Sequence, residues 1–242
     1  MLLGGSAAPY SMIQAFDEQH DAFLTHGWVM TEMSPLGTIN TPTKKAMSLP
    51  LEERYQLQTK QGYPMFGVEI KTVNDDNEEL PRDGEASGAL KVKGPWIMHT
   101  YYKAEAPAVD DEGWFDTGDV ATIHPDGCMQ IVDRAKDVIK TGGEWISSID
   151  LENAVLTHEN VVEACVVGVP HPKWDERPLL FLITKDGKEM NKQEINDFLL
   201  KKVVKWWLPD DIIFVKELPH GATGKLLKVE LREEYKDHLM EK

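Results

Sequence analysis

The spacing of apolar and polar residues changes several times along the chain, and its first part is typical of a strand followed by a helix. Residues 1–3 are apolar and lead into Gly-Gly-Ser-Ala-Ala-Pro, which predicts the end of a buried strand and a strand-to-helix turn. Apolar side chains at helical spacing predict a helix over residues 11–24. A buried strand needs neighbours, so we interpret the chain as a fragment whose N-terminal part is missing. The alternative is a short disordered start.

The middle of the chain changes from a polar stretch to short β-rich runs. Residues 41–62 are polar, with a short amphipathic helix after Pro50, and predict a surface connection. Between residues 66 and 132, β-rich runs alternate with Asn-Asp-Asp-Asn, Arg-Asp-Gly and Pro-Asp-Gly turns. This alternation predicts a small, mostly antiparallel β subdomain with strands at 66–73, 88–94 and 128–132.

The last part of the chain contains both the helical and the strand-like spacing of apolar residues, which predicts a compact α+β domain. One helix is expected from the Ser147/Ser148 cap to Leu156. Another begins at Asn191, where Glu194 gives the spacing of a capping box, and runs to about residue 204. Strands are expected at 161–169, 179–184 and 212–216, before a glycine-bracketed loop and a charged closing helix.

Composition excludes some classes of function. The net charge of −15 argues against a nucleic-acid partner, because such binding needs lysine and arginine to neutralise phosphates. Cys128 and Cys165 have no metal or disulfide spacing, which favours a reducing compartment. Neither a membrane-spanning apolar run nor a secretory signal is present in the sequence, so we expect a cytoplasmic protein.

Three glycine-containing motifs occur in an order that indicates a nucleotide-handling site. They are GWFDTGD (113–119), DRAKDVIKTGGEWIS (133–147) and LPHGATGKL (218–226). With them, nearly the whole chain resembles the adenylate-forming acyl-CoA synthetase (AMP-binding) family. The runs GEWISSIDLE, PHPKWDERPLL and KWWLPDD are similar to short- and medium-chain fatty acyl-CoA ligases and to methylmercaptopropionate-CoA ligases.

The resemblance implies a reaction and a domain plan. A carboxylate attacks the α-phosphate of ATP to give an acyl-adenylate and pyrophosphate, and the thiol of CoA then displaces AMP; ATP, Mg²⁺ and CoA are the implied cofactors. The fold class is α/β and α+β. Residues 1–65 are a remnant of the N-terminal α/β domain, 66–135 a β-rich subdomain, 136–137 a hinge, and 138–242 a mobile α+β C-terminal domain.

The resemblance also implies the parts of a nucleotide site near the N-terminus. Gly5, Ser6 and Ala7 lie against the adenine, and Gly27 and Trp28 lie beneath it. Thr31 contacts phosphate, and Glu32 holds Mg²⁺, which prefers one or two carboxylates together with substrate phosphate oxygens. Judged without the motifs, these residues would instead be interpreted as a tight turn, a core tryptophan and a solvated glutamate.

Two further residues are implied for the ribose and phosphates. Asp119 accepts both ribose hydroxyls, in hydrogen bonds that the carboxylate charge strengthens. Arg134 contacts ribose and phosphate oxygens, for which a planar, permanently charged guanidinium is suited. A β-turn aspartate and a surface ion pair remain the alternatives.

Catalytic lysines and the CoA path follow from the later motifs. Lys225 stabilises the charge that develops during adenylation; a merely solvated lysine is the alternative. Lys136 and Asp137 form the hinge. The loop of Lys140, Thr141, Gly142, Gly143 and Glu144 serves the second step, its glycines admitting the CoA arm. A plain glycine hairpin before a helix is the other explanation of that loop.

One departure from the family pattern concerns the acyl pocket. Val29 stands where the family has glycine beside the acyl tunnel, so a branched side chain there predicts a short or medium acyl group. A reshaped rather than a shortened pocket is the alternative.

The family's Gly/Ser/Thr-rich phosphate loop has no equivalent in these residues. The chain alone is therefore expected to bind ATP poorly, to be inactive, and to expose apolar strand surface at residues 1–3 and 26–30. Two rival hypotheses stay open: an inactive or split-gene subunit or binding module, and an adenylation partner of a carrier protein. A homodimer or a separate N-terminal half would be the protein partner.

Overall fold

The computed structural model describes residues 1–185, 188, 190–222, 224 and 226–240. The chain separates into two compact units, Met1–Ala135 and Lys136–Lys242. Both combine sheets with helices, so the expected mixture of α/β and α+β structure is confirmed.

The first sheet of unit 1 begins with a parallel pair of strands. Strand β1 (Leu2–Gly4) pairs in parallel with β2 (Thr25–Val29). Helix α1 (Tyr10–His20) connects them, which confirms the predicted strand-to-helix turn. Antiparallel strands β3 (Leu36–Ile39) and β4 (Tyr63–Pro64) complete the order β1-β2-β3-β4.

Helix α1 is shorter than predicted. It ends at His20 rather than at residue 24, because Asp21 adopts a left-handed conformation with φ 49°. The backbone N–H of Asp21 bonds to the Asp17 carbonyl and closes the last turn. Leu24 is thereby free to enter the core beside α1.

The expected exposure of strand surface is confirmed at the start of the chain and wrong at β2. Leu2 is 59% exposed. His26 and Trp28 are buried, because β2 lies between β1 and β3 and the indole packs into the unit's core.

Residues 41–62 are not simply a surface connection. They contain the short helix α2 (Lys44–Met47) and helix α3 (Leu51–Gln58). Tyr55 of α3 is buried, and Gln58 Nε2 donates to the Leu24 carbonyl at 2.9 Å. The packed face of α3 therefore lies against α1.

The second sheet of unit 1 is the predicted antiparallel β subdomain. Its strands are β5 (Glu69–Val73), β6 (Gly88–Lys93), β7 (Phe115–Ile123) and β8 (Met129–Arg134), in that order. Apolar side chains of these strands form one core cluster. The long strand β7 was not among the predicted strands; it contains most of the GWFDTGD motif.

Unit 2 is built on a long antiparallel hairpin. Its elements are β9 (Ile139–Thr141), β10 (Glu144–Ile146), α4 (Ser148–Leu156), β11 (Val161–His171), β12 (Asp175–Thr184), α5 (Lys192–Leu199), β13 (Asp211–Phe214) and α6 (Lys228–Glu234). Strand β12 pairs with β11, with β13 in parallel, and with β9.

Alternating residues of the hairpin face two cores. Val166 and Leu180 belong to the cluster beneath α4 and α5, while Val167 and Phe181 belong to the cluster beneath α6. Within the described part of the chain, no helix has the length and apolar character needed to cross a membrane.

Helix α5 begins as predicted and ends earlier. Asn191 and Glu194 form the full capping box. The helix stops at Leu199, rather than near residue 204, because the next turn tightens: Lys202 N bonds to the Leu199 carbonyl three residues back, at 2.8 Å.

Candidate functional site

A buried carboxylate is the centre of the site in unit 1. Asp119, in strand β7, is 2% exposed. Its Oδ2 accepts a hydrogen bond from Trp28 Nε1 at 3.0 Å, and its Oδ1 lies 2.9 Å from Arg134 Nε. Asp119 and Arg134 are directly opposite each other on the paired strands β7 and β8. The structure therefore joins three of the predicted nucleotide-binding residues through one carboxylate.

Local backbone geometry holds Asp119 in place. Thr117 Oγ1 accepts from Asp119 N at 3.1 Å and donates to the Leu90 carbonyl at 2.8 Å. Gly118 has φ 68°, a conformation that favours glycine, and its carbonyl accepts from Ala135 N at 3.0 Å. The Thr-Gly-Asp sequence thus bends the strand and orients the carboxylate.

The electrostatics of Asp119 are set by opposing causes. Burial raises its pKa above the ordinary value; the charge of Arg134 and the hydrogen bond from Trp28 lower it, and Asp133 and Asp116 raise it further. The Arg134 side chain is 47% exposed. Since a guanidinium carries five N–H donors, its remaining donors are available to a ligand at the surface.

Trp28 packs as a core side chain. It is 5% exposed, and a Cβ placed on Gly37 would lie 2.6 Å from its Cε3, so glycine is required beneath the ring. In the structure the indole supports Asp119 through its N–H. A role as the adenine platform stays a prediction.

The turn predicted to border the adenine lies at the surface beside β2. Gly5 has φ 89°, and both Gly5 and Ser6 are exposed, with Ala7 half-buried. A Cβ on Gly27 would meet Leu2 Cδ1 at 3.3 Å and Leu36 Cδ1 at 3.4 Å, so Gly27 lets neighbouring strands approach.

His26 is a residue of this region that sequence reasoning missed. Its Nε2 lies 3.2 Å from the Ser6 carbonyl and its Nδ1 3.0 Å from the Thr59 carbonyl. The ring is buried, and burial lowers its pKa against the raising effect of those carbonyls. His26 therefore connects the exposed turn to the segment after α3. These partners are distant in sequence, so no local sequence pattern predicts the contact.

Glu32 lies in a short 3₁₀ helix, Thr31–Met33. Thr31 is exposed and Glu32 half-buried. Tyr101, a second residue missed from the sequence, donates its hydroxyl to Glu32 Oε1 at 2.9 Å; this hydrogen bond raises the pKa of Tyr101. A single carboxylate is a suitable donor for Mg²⁺ when phosphate oxygens complete the shell. In the residues the structure describes, no three His, Cys, Asp or Glu side chains are grouped around a possible metal.

Val29 is half-buried at the end of β2. A Cβ placed on Gly4 would lie 3.4 Å from Val29 Cγ2, so this side chain occupies space next to the β1 turn. Its relation to an acyl group stays a prediction.

The loop predicted for the second step is a tight hairpin in unit 2. Thr141 pairs with Glu144, and Gly142 (φ 57°) and Gly143 (φ 88°) form the turn between β9 and β10. Lys140, Gly143 and Glu144 are exposed. The glycine hairpin, which was the alternative explanation of this loop, is therefore present. That CoA uses this loop stays a prediction.

The hinge residues differ in their surroundings. Lys136 is exposed, whereas Asp137 Oδ1 lies 2.6 Å from Arg232 Nη2 of α6. Lys225 lies outside the described residues.

Two family models match this chain. The model described as AMP-binding enzyme matches residues 1–102, and that described as AMP-binding enzyme C-terminal domain matches residues 150–225. Over these residues the chain contains AMP-binding enzyme domains.

Two curated CoA ligases are similar to this chain in sequence. A 3-methylmercaptopropionyl-CoA ligase of Ruegeria lacuscaerulensis is 50% identical over 98% of this chain and 44% of its own length. A medium-chain-fatty-acid–CoA ligase of Ectopseudomonas oleovorans is 45% identical, over 99% of this chain and 44% of its own length. The chain thus spans less than half the length of the curated relatives it matches.

A solved structure shares the fold. ATP-bound MatB from Rhodopseudomonas palustris superposes with a TM-score of 0.84 at 26% identity, covering 98% of this chain and 46% of the solved one. The described elements of this chain are therefore those of AMP-binding enzymes.

Proposed function

We propose that this chain supplies part of an ATP-dependent acyl-CoA ligase, an acid–thiol ligase. The reaction joins a carboxylate to the α-phosphate of ATP with release of pyrophosphate, and CoA then takes the acyl group with release of AMP. The observation that carries the proposal is the buried Asp119 carboxylate between Trp28 and Arg134, in a chain 50% identical to a CoA ligase. Because the chain covers 44% of that relative, the activity is proposed for these residues together with the rest of such an enzyme.

The first role is ribose binding. Each Asp119 oxygen already accepts one hydrogen bond and retains a second lone pair, so the carboxylate can accept both ribose hydroxyls. Arg134 presents its free donors to the ribose and phosphates. Trp28, with Gly27 and the turn of Gly5, Ser6 and Ala7, borders the adenine, and Thr31 donates to a phosphate oxygen.

Glu32 is the proposed Mg²⁺ ligand. The metal, when bound, would neutralise charge on the ATP phosphates. The contribution of this chain is a carboxylate held in one orientation by the Tyr101 hydroxyl.

The C-terminal motifs supply the groups that act on the acyl transfer. Lys225 places an ammonium against the oxygens that gain charge during adenylation. Lys140, Gly142, Gly143 and Glu144 border the CoA path. Lys136 and Asp137 follow directly on the boundary after Ala135, which supports the hinge proposed there.

The acyl group is proposed to be short or medium in length. Val29 supports this, because its branched side chain fills space beside the β1 turn. The names of the two curated relatives, a 3-methylmercaptopropionyl-CoA ligase and a medium-chain-fatty-acid–CoA ligase, agree with it.

The test uses a fusion protein: the part of the Ruegeria lacuscaerulensis ligase that this chain does not match, joined to residues 1–242. Acyl-adenylate formation is measured by hydroxylamine trapping with ATP and propionate, octanoate or palmitate, and thioester formation with CoA or a carrier protein as acceptor. We expect trapping with propionate and octanoate, and transfer to CoA.

The matched variants are Lys225→Ala and Lys228→Ala within the same stretch. Lys225→Ala is expected to lower the rate of pyrophosphate release by about 100-fold or more with folding unchanged. Lys228→Ala is expected to lower the stability of the protein. Absence of trapping in a folded fusion protein would support an inactive scaffold, and transfer only to carrier protein would support the peptide-synthetase type of enzyme. Preference for palmitate would contradict the role of Val29.

A further inference from the structure

A cavity lies in unit 1 beside the turn between β7 and β8. The cavity, which we call the α2–α3 pocket, has a volume of about 360 Å³. One wall is the segment from Asn40 to Lys60, and the other is the turn between β7 and β8, from His124 to Cys128. His124 lies five positions after Asp119, roughly 16 Å along an extended strand. The pocket is therefore distinct from the nucleotide site.

The walls of the pocket are held by buried hydrogen bonds. Asn40 Nδ2 donates to the carbonyls of Leu57 at 2.6 Å and Lys60 at 2.8 Å. Gly62 pairs with Met129 through backbone bonds of 3.2 and 2.7 Å. These contacts fix the α3 segment against β8, so the cavity is formed before any ligand arrives.

The pocket contains a half-buried ammonium that forms no close ion pair among the described residues. Lys60 Nζ lies 2.9 Å from His124 Nε2. An ammonium can only donate, so this hydrogen bond requires Nε2 to accept. Among the described residues no carboxylate lies within ion-pair distance of Lys60, nor of Lys45, which also lines the pocket.

The acidic side chain of the pocket, Asp126, is held in place by hydrogen bonds. Asp126 Oδ2 accepts from the Tyr63 hydroxyl, and its Oδ1 accepts from Cys128 N, each at 3.0 Å. Tyr63 stays neutral, because burial and the bond to Asp126 raise its pKa to about 12. Asp126 keeps its charge, and the ammonium of Lys60 is one of the groups that lower its pKa. Two lysines against one carboxylate leave the lining with one positive charge in excess, which favours an anion.

The rest of the lining is apolar. Leu49, Leu57, Pro42 and Ala46 come from the helical segment, and Pro125 comes from the β7–β8 turn. Thr41 and Thr43 lie among them. A ligand that satisfies both surfaces has one charged end and a short hydrocarbon part.

We propose that the α2–α3 pocket binds a small amphiphilic oxyanion, a carboxylate or a phosphate attached to a short hydrocarbon chain. Lys60 and Lys45 hold the oxyanion, and the leucines and prolines cover the hydrocarbon. The volume is at the lower end of the range for small-molecule sites, which suits a ligand of this size. The proposal does not depend on the ligase function.

The experiment titrates residues 1–242 with four six-carbon probes: hexanoate, hexyl phosphate, hexanol and hexylammonium. Binding is followed by ¹⁵N amide shifts of Thr41, Ala46 and Cys128, with Leu182 of unit 2 as the reference. We expect saturable shifts with hexanoate or hexyl phosphate, binding of hexanol at least about tenfold weaker, and none of hexylammonium. Whichever of hexanoate and hexyl phosphate binds with the higher affinity identifies the headgroup as a carboxylate or a phosphate.

Variants separate this pocket from the nucleotide site. Lys60→Met and Lys45→Met are each expected to weaken hexanoate or hexyl phosphate binding about tenfold. Their matched control is Lys44→Met, an exposed neighbour that does not line the pocket, and Asp119→Asn controls for the nucleotide site; both should bind as the parent does. Equal binding of hexylammonium and hexanoate, no saturable shift with any probe, or full binding by folded Lys60→Met and Lys45→Met overturns the proposal. If Lys60→Met does not fold, Lys45→Met and the probe comparison decide.

Discussion

Two largely buried carboxylates, one in each unit, are neutralised in different ways. Asp119 of unit 1 pairs with a half-exposed arginine, and burial raises its pKa. Glu152 of unit 2 lies 2.7 Å from Lys228 Nζ, and both side chains are only 13% exposed. Glu152 Oε1 also accepts from Val166 N at 2.7 Å, and Lys228 donates to Ser148 Oγ at 2.6 Å.

The difference shows which group serves the fold and which is suited to a ligand. Glu152 and Lys228 connect α4, β11 and α6, so their charges are paired inside unit 2. Asp119 has a raised pKa, so its stabilising contribution exists below the unfolded pKa and is lost as pH rises through the folded pKa. At neutral pH its charge opposes folding, as expected of a group retained for binding.

The largest effect is expected for Glu152→Gln, which leaves the Lys228 ammonium in a mostly buried place without its carboxylate. We expect unit 2 to lose about 3 kcal/mol of stability. Urea unfolding measures it, with exposed Glu230→Gln on α6 as the control within about 0.5 kcal/mol of the parent. A loss below about 1 kcal/mol would mean that the pair is no more than a surface ion pair.

The corresponding change in unit 1 is Arg134→Met, and its effect should be smaller. The Trp28 hydrogen bond to Asp119 remains, and the Asp119 carboxyl, whose pKa is already raised, can take up a proton when the half-exposed Arg134 is removed, so about 1 kcal/mol is expected. Urea unfolding of unit 1 is again the measurement. A loss as large as that of Glu152→Gln would remove the contrast between the two carboxylates.

Asp119→Asn sharpens the contrast by removing the charge while keeping an oxygen acceptor for Trp28 Nε1. We expect stability within about 1 kcal/mol of the parent at pH 7. The free energy of unfolding of the variant, compared with that of the parent, should be higher at pH 7 than at pH 4. At pH 7 the parent must ionise a carboxyl whose folded pKa is raised. Thermal unfolding of both proteins at both pH values tests this. A larger stability advantage of the variant at pH 4 than at pH 7 would contradict the prediction.

The smallest effect concerns His26, whose pKa is lowered by burial. The unfolded state binds the proton more readily, so unit 1 should lose stability as pH falls below the unfolded value of 6.5 and regain it above. His26→Gln should flatten this part of the pH profile, and exposed His20→Gln should not. Equal profiles for the parent and His26→Gln would show that other groups cause the dependence.

Local signals predicted much of this molecule. The capping box at Asn191 and Glu194 and the hairpin glycines act within a few residues, so the sequence reveals them. The GWFDTGD motif indicated Asp119, and the structure adds that Arg134 lies opposite it.

What could not be predicted depends on contacts between distant residues or on backbone conformation. Strand β7 was missed because its Thr-Gly-Asp sequence is also typical of a turn, and only pairing with β6 and β8 makes it a strand. The early end of α1 depends on the left-handed conformation of Asp21. The bonds of Tyr101 to Glu32 and of His26 to Thr59 connect residues with no shared local pattern.

The ribose role of Asp119 is tested most directly by changing the nucleotide and the side chain together. In the fusion protein, kcat/KM for pyrophosphate release is compared for ATP and 2′,3′-dideoxy-ATP, with Asp119 and with Asp119→Asn. With Asp119 we expect ATP to be favoured by about tenfold or more, from charge-assisted hydrogen bonds to the hydroxyls. Asp119→Asn should remove most of that preference; an unchanged preference in the folded variant would contradict the account.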